Sequence, residues 1–306
     1  MHFSEKRFAR GGFLVRLALL AAATLWPVAT YGQDQQDELP QPETVVIPTG
    51  DGARLQATYY AAPEKFGKKA AAVILLHASG GNRRDFEKLA GQLQRVGCAV
   101  IAPDLRGHGD STPIDRALSL DDYAAMVRFD LEAVKGFLLA RHNAGELNID
   151  RLGVAGLEMG AALAVNWAAL DWNWPVLATG KQGQDVKALA LVSPEWSYEG
   201  LKIAEAMARP DIRSRVAFLI VTGRRNSKLM REAKRLHNAL AKYQAASADN
   251  VEDQTLFLQT PATSLQGTQL LHEKSLKVEP MIAEFFEMRL VKPAYPWRVR
   301  KNPLQQ

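Results

Sequence analysis

The chain has a single cysteine, Cys98, among 306 residues. An intrachain disulfide is therefore impossible, and a cysteine-rich metal site is excluded. Cys98 lies in the apolar run Gly97-Cys98-Ala99-Val100-Ile101, which marks a small buried hydrophobe rather than a reactive thiol. Charge of one sign is also scarce. The net charge is +5, of which +3 falls in the first 32 residues, so the remainder is close to neutral. The chain gives no case for nucleic-acid binding. Long hydrophobic runs are missing too: none reaches the about 20 residues that span a bilayer. The six histidines include no His-x-x-x-His pair, and no Asp/Asn loop has ligand spacing, so neither a metal nor a cofactor is expected. The basic trio Arg298, Arg300 and Lys301 reads as a solvated end.

What is present is an ordinary globular composition, 47% hydrophobic and 23% charged. Residues 1–32 read as a signal peptide. Lys6, Arg7 and Arg10 form a charged start, Leu17 to Ala29 a short apolar run, and Thr30-Tyr31-Gly32 a cleavage region. Export to a periplasm or the exterior is expected, with no stable membrane span after cleavage. A polar leader over 33–42, a domain over 43–291 and a tail over 292–306 follow.

Within that domain, strand and helix patterns alternate. Glu43–Pro48 and Arg54–Tyr60 are β-rich runs flanking Thr49-Gly50-Asp51-Gly52, a hairpin turn signal. Apolar strands are expected at Ala71–Leu76, Cys98–Ala102, Arg151–Ala155, Ala188–Val192, Val216–Thr222 and Thr255–Gln259. Helical spacing runs over Asp85–Val96, Leu120–Ala140, Met159–Leu170, Lys228–Tyr243 and Val278–Leu290, with a further helix around Ala206. The pattern predicts an α/β fold: a doubly wound, mostly parallel sheet with an N-terminal antiparallel hairpin. Only Asp171–Asp185 and Tyr198–Arg215 have room for a lid, and both are too short for a separate cap domain.

The most telling stretch is Val154-Ala155-Gly156-Leu157-Glu158-Met159-Gly160, which has the glycine spacing of a nucleophile elbow, G-x-S-x-G. Three loops accompany it in order: Leu76-His77-Ala78-Ser79-Gly80-Gly81-Asn82, then Asp104-Leu105-Arg106-Gly107-His108-Gly109-Asp110-Ser111, then Leu191-Val192-Ser193-Pro194. With the opening hairpin, these motifs resemble the α/β-hydrolase superfamily, in particular its small cap-less esterase and dienelactone-hydrolase-like members, over roughly the whole mature chain. The resemblance implies a Ser-Asp-His triad and oxyanion amides from Ala78, Ser79 and Met159. This sequence departs from the triad at every position. Glu158 stands where the Ser nucleophile belongs, Asn226 where the acid belongs, and Gln266 where the His belongs.

Glu158 has three readings. It is a carboxylate nucleophile, which needs a His base to clear the ester. It is a general acid or base with a raised pKa. Or it is a structural carboxylate turned into the old oxyanion hole, where a helix N-terminus favours it by ~0.3–1 kcal/mol. The third is the expectation taken forward. His77 and His272 are the alternative bases. His77 is favoured as loop packing, and His272 lies six residues past Gln266. His108 is expected to bond backbone, and His142 and His237 to face solvent. Ser79, Ser111 and Ser193 sit where the family uses structural residues, and Glu195 reads as a rim charge.

The function expected is that of an exported, non-catalytic α/β-hydrolase-fold protein, a pseudoenzyme that holds a small molecule or a protein partner in its old cleft. The alternative is a secreted ester hydrolase with a site rearranged around Glu158 and His77 or His272.

Overall fold

Runs of β-branched and aliphatic residues bounded by Gly, Pro and Asn punctuation set the strands. In this computed structural model, residues 38–177, 180–244 and 251–300 are described; the expected signal segment 1–32 lies outside them. The strands are β1 (Glu43–Pro48), β2 (Arg54–Tyr60), β3 (Ala71–Leu76), β4 (Cys98–Pro103), β5 (Leu152–Leu157), β6 (Val176–Leu177), β7 (Gly180–Lys181), β8 (Val186–Val192), β9 (Ser197–Tyr198), β10 (Leu201–Lys202), β11 (Ala217–Val221) and β12 (Leu256–Gln259). Eight of them form one sheet in the order β1-β2-β4-β3-β5-β8-β11-β12. Strand β2 pairs antiparallel with β1 and β4, and every other neighbour is parallel. The expected mostly parallel sheet with an antiparallel opening is what forms. The pairs β6–β7 and β9–β10 are two-residue hairpins outside it.

Helices α1 (Glu87–Arg95), α2 (Leu120–Ala125), α3 (Leu131–Asn143), α4 (Met159–Asp171), α5 (Ala204–Ala208), α6 (Pro210–Arg215), α7 (Ser227–Leu240), α8 (Gly267–His272) and α9 (Val278–Phe286) accompany the strands. The central strands β3, β4 and β5 are buried at every position, so both faces of the sheet are covered. One apolar layer contains Ile74, Val154, Leu189 and Trp167, and the other contains Val73, Leu75, Leu219 and Phe286. Burying such side chains contributes about 1.5–3 kcal/mol each, which makes this layer pair the main source of stability. Cys98 is buried, with its thiol pushed up by burial. No described helix is long and apolar enough to cross a membrane.

Three expectations need correction. The single helix expected over Leu120–Ala140 is interrupted by a π turn at Met126–Asp130. Its apolar face is buried as the spacing requires, but the wider turn accompanies Asp130, which faces inward and accepts from the Arg106 backbone amide and guanidinium. His142 is fully buried, not solvent-facing: the Ile149 amide donates to its Nδ1 and its Nε2 contacts the Arg298 carbonyl at 2.7 Å. Arg300 is no solvated end either. It is 6% exposed, with its guanidinium on Asp185 and Asp150 at the foot of the sheet.

Candidate active site

The parallel strands end together where β5 gives way to α4, and Glu158 occupies that turn at φ 48°, ψ −104°. A non-glycine residue in this region is strained by roughly 1–3 kcal/mol, as a nucleophile elbow requires. Both flanking glycines are obligatory. A Cβ on Gly156 would stand 2.3 Å from the Gly160 carbonyl oxygen, and one on Gly160 would stand 2.2 Å from that of Leu76. The Glu158 amide is tied to the Val192 carbonyl at 2.9 Å, which ties the elbow to the end of β8.

The Glu158 carboxylate does not fill the oxyanion hole, contrary to the expectation. It makes no capping bond to the first turn of α4, and no hydrogen bond from a described residue reaches it. It lies on Gly267 instead: a Cβ there would come 2.2 Å from Glu158 Oε1. The extra methylene of Glu carries its oxygens beyond the hole, and Gly267, at φ 50°, leaves room for them. Burial raises the Glu158 pKa, and the charge on Glu195 raises it further. An oxyanion-hole contact would have lowered it.

Gln266, expected at the base position, is built into the frame. Ser193 Oγ donates to its Oε1 at 2.6 Å, Thr222 Oγ1 adds a longer contact of 3.3 Å, and its Nε2 donates to the Gly223 carbonyl at 3.3 Å. Ser193 Oγ in turn accepts the Gly267 amide at 2.9 Å. A neutral amide donates on one side and accepts on the other without changing charge, so it has no proton to relay. Asn226, expected at the acid position, caps α7: its Oδ1 accepts the Leu229 amide at 3.1 Å. Glu158 and Gln266 thus meet around Gly267, while the Asn226 side chain is engaged by its own helix.

The histidines are committed elsewhere. His77 is fully buried, and the Leu105 amide donates to its Nε2 at 3.1 Å. That leaves Nδ1 to carry the proton and donate to the Ala78 carbonyl at 2.8 Å. Burial lowers its pKa from 6.5 to about 4. His108 Nδ1 contacts the Arg106 carbonyl, and His272 Nε2 contacts the Asp85 carbonyl at 2.7 Å. No hydrogen bond joins a His nitrogen to Glu158 among the described residues. Ser111 Oγ donates to the Asp104 carbonyl and accepts the Gln56 amide, so it is structural. Asp104, fully buried, holds the same turn by accepting the amides of Arg83 and Asp110. Glu195 pairs with Lys228 at 2.8 Å on the rim. No group of three potential ligands for a metal occurs among the described residues.

Ser193, expected as a structural residue, joins the Gln266 side chain to the Gly267 backbone. One participant was not legible in the sequence. Tyr198, in the two-residue strand β9, contacts Ser79 and feels the charge of Glu158. Its ring also packs edge-on against Tyr123 at 5.9 Å. A two-residue strand carries no periodicity from which to find it.

Solved structures share this architecture. An esterase from Pyrococcus furiosus is 16% identical, with a TM-score of 0.56 over 82% of this chain and 92% of that one. Dienelactone hydrolase from Anabaena variabilis is 16% identical, with a TM-score of 0.52 over 83% and 100%. An esterase from Exiguobacterium antarcticum is 15% identical, with a TM-score of 0.53 over 80% and 100%. At such identities the likeness is one of fold. No curated protein matches by sequence. The alpha/beta hydrolase family model matches residues 73–301, and with the elbow, the sheet order and the loop positions in agreement, the chain belongs to that family.

Proposed function

We propose that this chain is a non-catalytic member of its family, exported through its N-terminal segment, that uses the former active-site cleft for binding rather than turnover. The observation that carries this reading is the state of Gln266. Its amide is held by Ser193 and Gly223 at the place where a hydrolase needs an imidazole. A carboxylate nucleophile at Glu158 would form an ester that nothing nearby could clear, since His77 has both nitrogens engaged and His272 is bonded to Asp85. The elbow strain persists without the chemistry it once served, and the oxyanion amides are left unoccupied by Glu158.

The test is a panel of short- and medium-chain aryl esters, assayed with the purified protein and with Glu158→Ser/Asn226→Asp/Gln266→His. Asp at 226 still caps α7, so that change is structurally mild. Turnover restricted to the triple variant supports the reading. Wild-type turnover that Glu158→Gln abolishes overturns it. Export is tested by the mass of protein recovered from the exporting host: a mature chain starting near Gln33 supports it, and an intact N-terminus in the cytosol refutes it.

A further inference from the structure

At the opposite end of the sheet from Glu158, the strands β8, β11 and β12 begin around a small cavity of about 170 Å³. Its polar lining is Lys187, Ser214, Arg215, Thr255, Arg289 and Tyr295. Among the described residues, its lining includes three cationic and three hydroxyl-bearing residues and no carboxylate. We propose that this cavity is a binding site for a small oxyanion of phosphate size, held by Lys187 and Arg289 and rimmed by Arg215.

The charge arrangement behind the cavity supports this. The carboxylates nearest Lys187, Asp150, Asp171 and Asp185, are each already ion-paired with Lys135, Lys181 or Arg300. Lys187 has no ion pair among the described residues and donates to the Gln184 carbonyl at 2.5 Å. Its ammonium lies 5.0 Å from the Trp172 ring, which the Arg215 guanidinium also approaches at 5.8 Å. Burial, reinforced by repulsion from Lys181, pulls the Lys187 pKa down to about 8. A cation in this state gains most from an anion that enters beside it.

Arg289 is held ready in the same wall. Its guanidinium donates to the carbonyls of Val251, Glu252 and Gln254, which fix its plane, and its Nε is buried without a partner. Burial lowers its pKa as well, the carboxylates of Asp253 and Glu252 notwithstanding. Arg215 pairs with Asp211 only at 3.5 Å on the exposed side, so it can turn to an incoming anion. Thr255 and Tyr295 offer hydroxyl donors to the remaining oxygens. A dianion matched to two or three cations in a partly desolvated cavity forms charge-assisted hydrogen bonds stronger than those it leaves in water.

The experiment titrates inorganic phosphate into the full protein by calorimetry and by NMR of lysine side chains, with chloride at matched ionic strength as the control. Expected are a saturable phosphate isotherm and an upward movement of the Lys187 pKa. Lys187→Met should weaken phosphate at least tenfold while its circular dichroism and unfolding midpoint in chloride stay those of a folded protein. Should that variant unfold, Thr255→Val, which removes one hydroxyl donor, should weaken phosphate about threefold. Equal responses to phosphate and chloride overturn the site, as does a Lys187 resonance that phosphate leaves unmoved.

Discussion

The carboxylates at the two ends of the sheet are held in opposite ways. At the foot, Asp150, Asp171 and Asp185 meet Lys135, Lys181 and Arg300 in a closed set of direct ion pairs. At the top, Glu158 stands half-buried on a strained turn with no hydrogen bond from any described residue. The foot carboxylates belong to a frame: each is answered by a cation, and Arg300 is held in it alongside bonds from Asn143 and His142 to residues 298–300. At the top, the Glu158 charge meets no cation or donor among the described residues, which is where the proposed function would place a ligand. Buried ionic groups that satisfy one another speak to folding, whereas an unanswered one on a rigid, strained support speaks to a ligand.

If the foot is a closed frame, removing one member should be the most damaging change. Arg300→Ala is expected to destabilise the fold by about 3–5 kcal/mol, because it leaves Asp185 buried and short of a partner. Chemical denaturation of the two proteins at neutral pH measures this. A loss below about 1 kcal/mol would mean that Arg300 contributes little to the frame and the comparison is drawn too sharply.

The loop beneath the elbow supplies the next largest effect. His77 has a folded-state pKa of about 4 against an ordinary 6.5. The unfolded chain therefore binds the extra proton first as the pH falls. The stability contributed by neutral His77 is fully present above pH 6.5 and is lost between 6.5 and about 4, by about 3 kcal/mol at most. Denaturation at a series of pH values should show this slope, and His77→Gln should flatten it.

Asn226 sharpens the distinction between a catalytic corner and a helix cap. Asn226→Ala should cost ~1 kcal/mol, and Asn226→Asp should cost nearly nothing, as a capping role requires. The smallest effect belongs to Glu158. Its raised pKa means that the charged form is disfavoured in the fold, so the penalty is absent at low pH and grows as the pH rises through the folded-state pKa. Glu158→Gln should accordingly leave the melting temperature unchanged at acid pH and raise it slightly at neutral pH. A fall at neutral pH would show that the carboxylate has a partner.

The sheet was legible in the sequence because its strands carry the signal that strands carry best: uninterrupted apolar runs such as Ala71–Leu76 between turn residues. The elbow was legible because Gly156 and Gly160 are there for a steric reason that permits no other residue. What failed depended on contacts distant in sequence. Arg300 and His142 look like surface residues until residues 295–300 fold back onto Leu147–Arg151. The direction of the Glu158 carboxylate was misjudged because helix-terminus attraction, a fraction of a kcal/mol, was weighed without the space that Gly267 provides. The π turn at Met126–Asp130 escaped because its apolar face keeps helical spacing while Asp130 turns to Arg106.

The most direct measurement of the central claim is single-turnover mass spectrometry of the protein mixed with an activated aryl ester, read alongside steady-state release. A non-catalytic cleft predicts no adduct on Glu158 and release no faster than the buffer rate. An acyl adduct on that residue, or turnover lost on Glu158→Gln, would contradict the account.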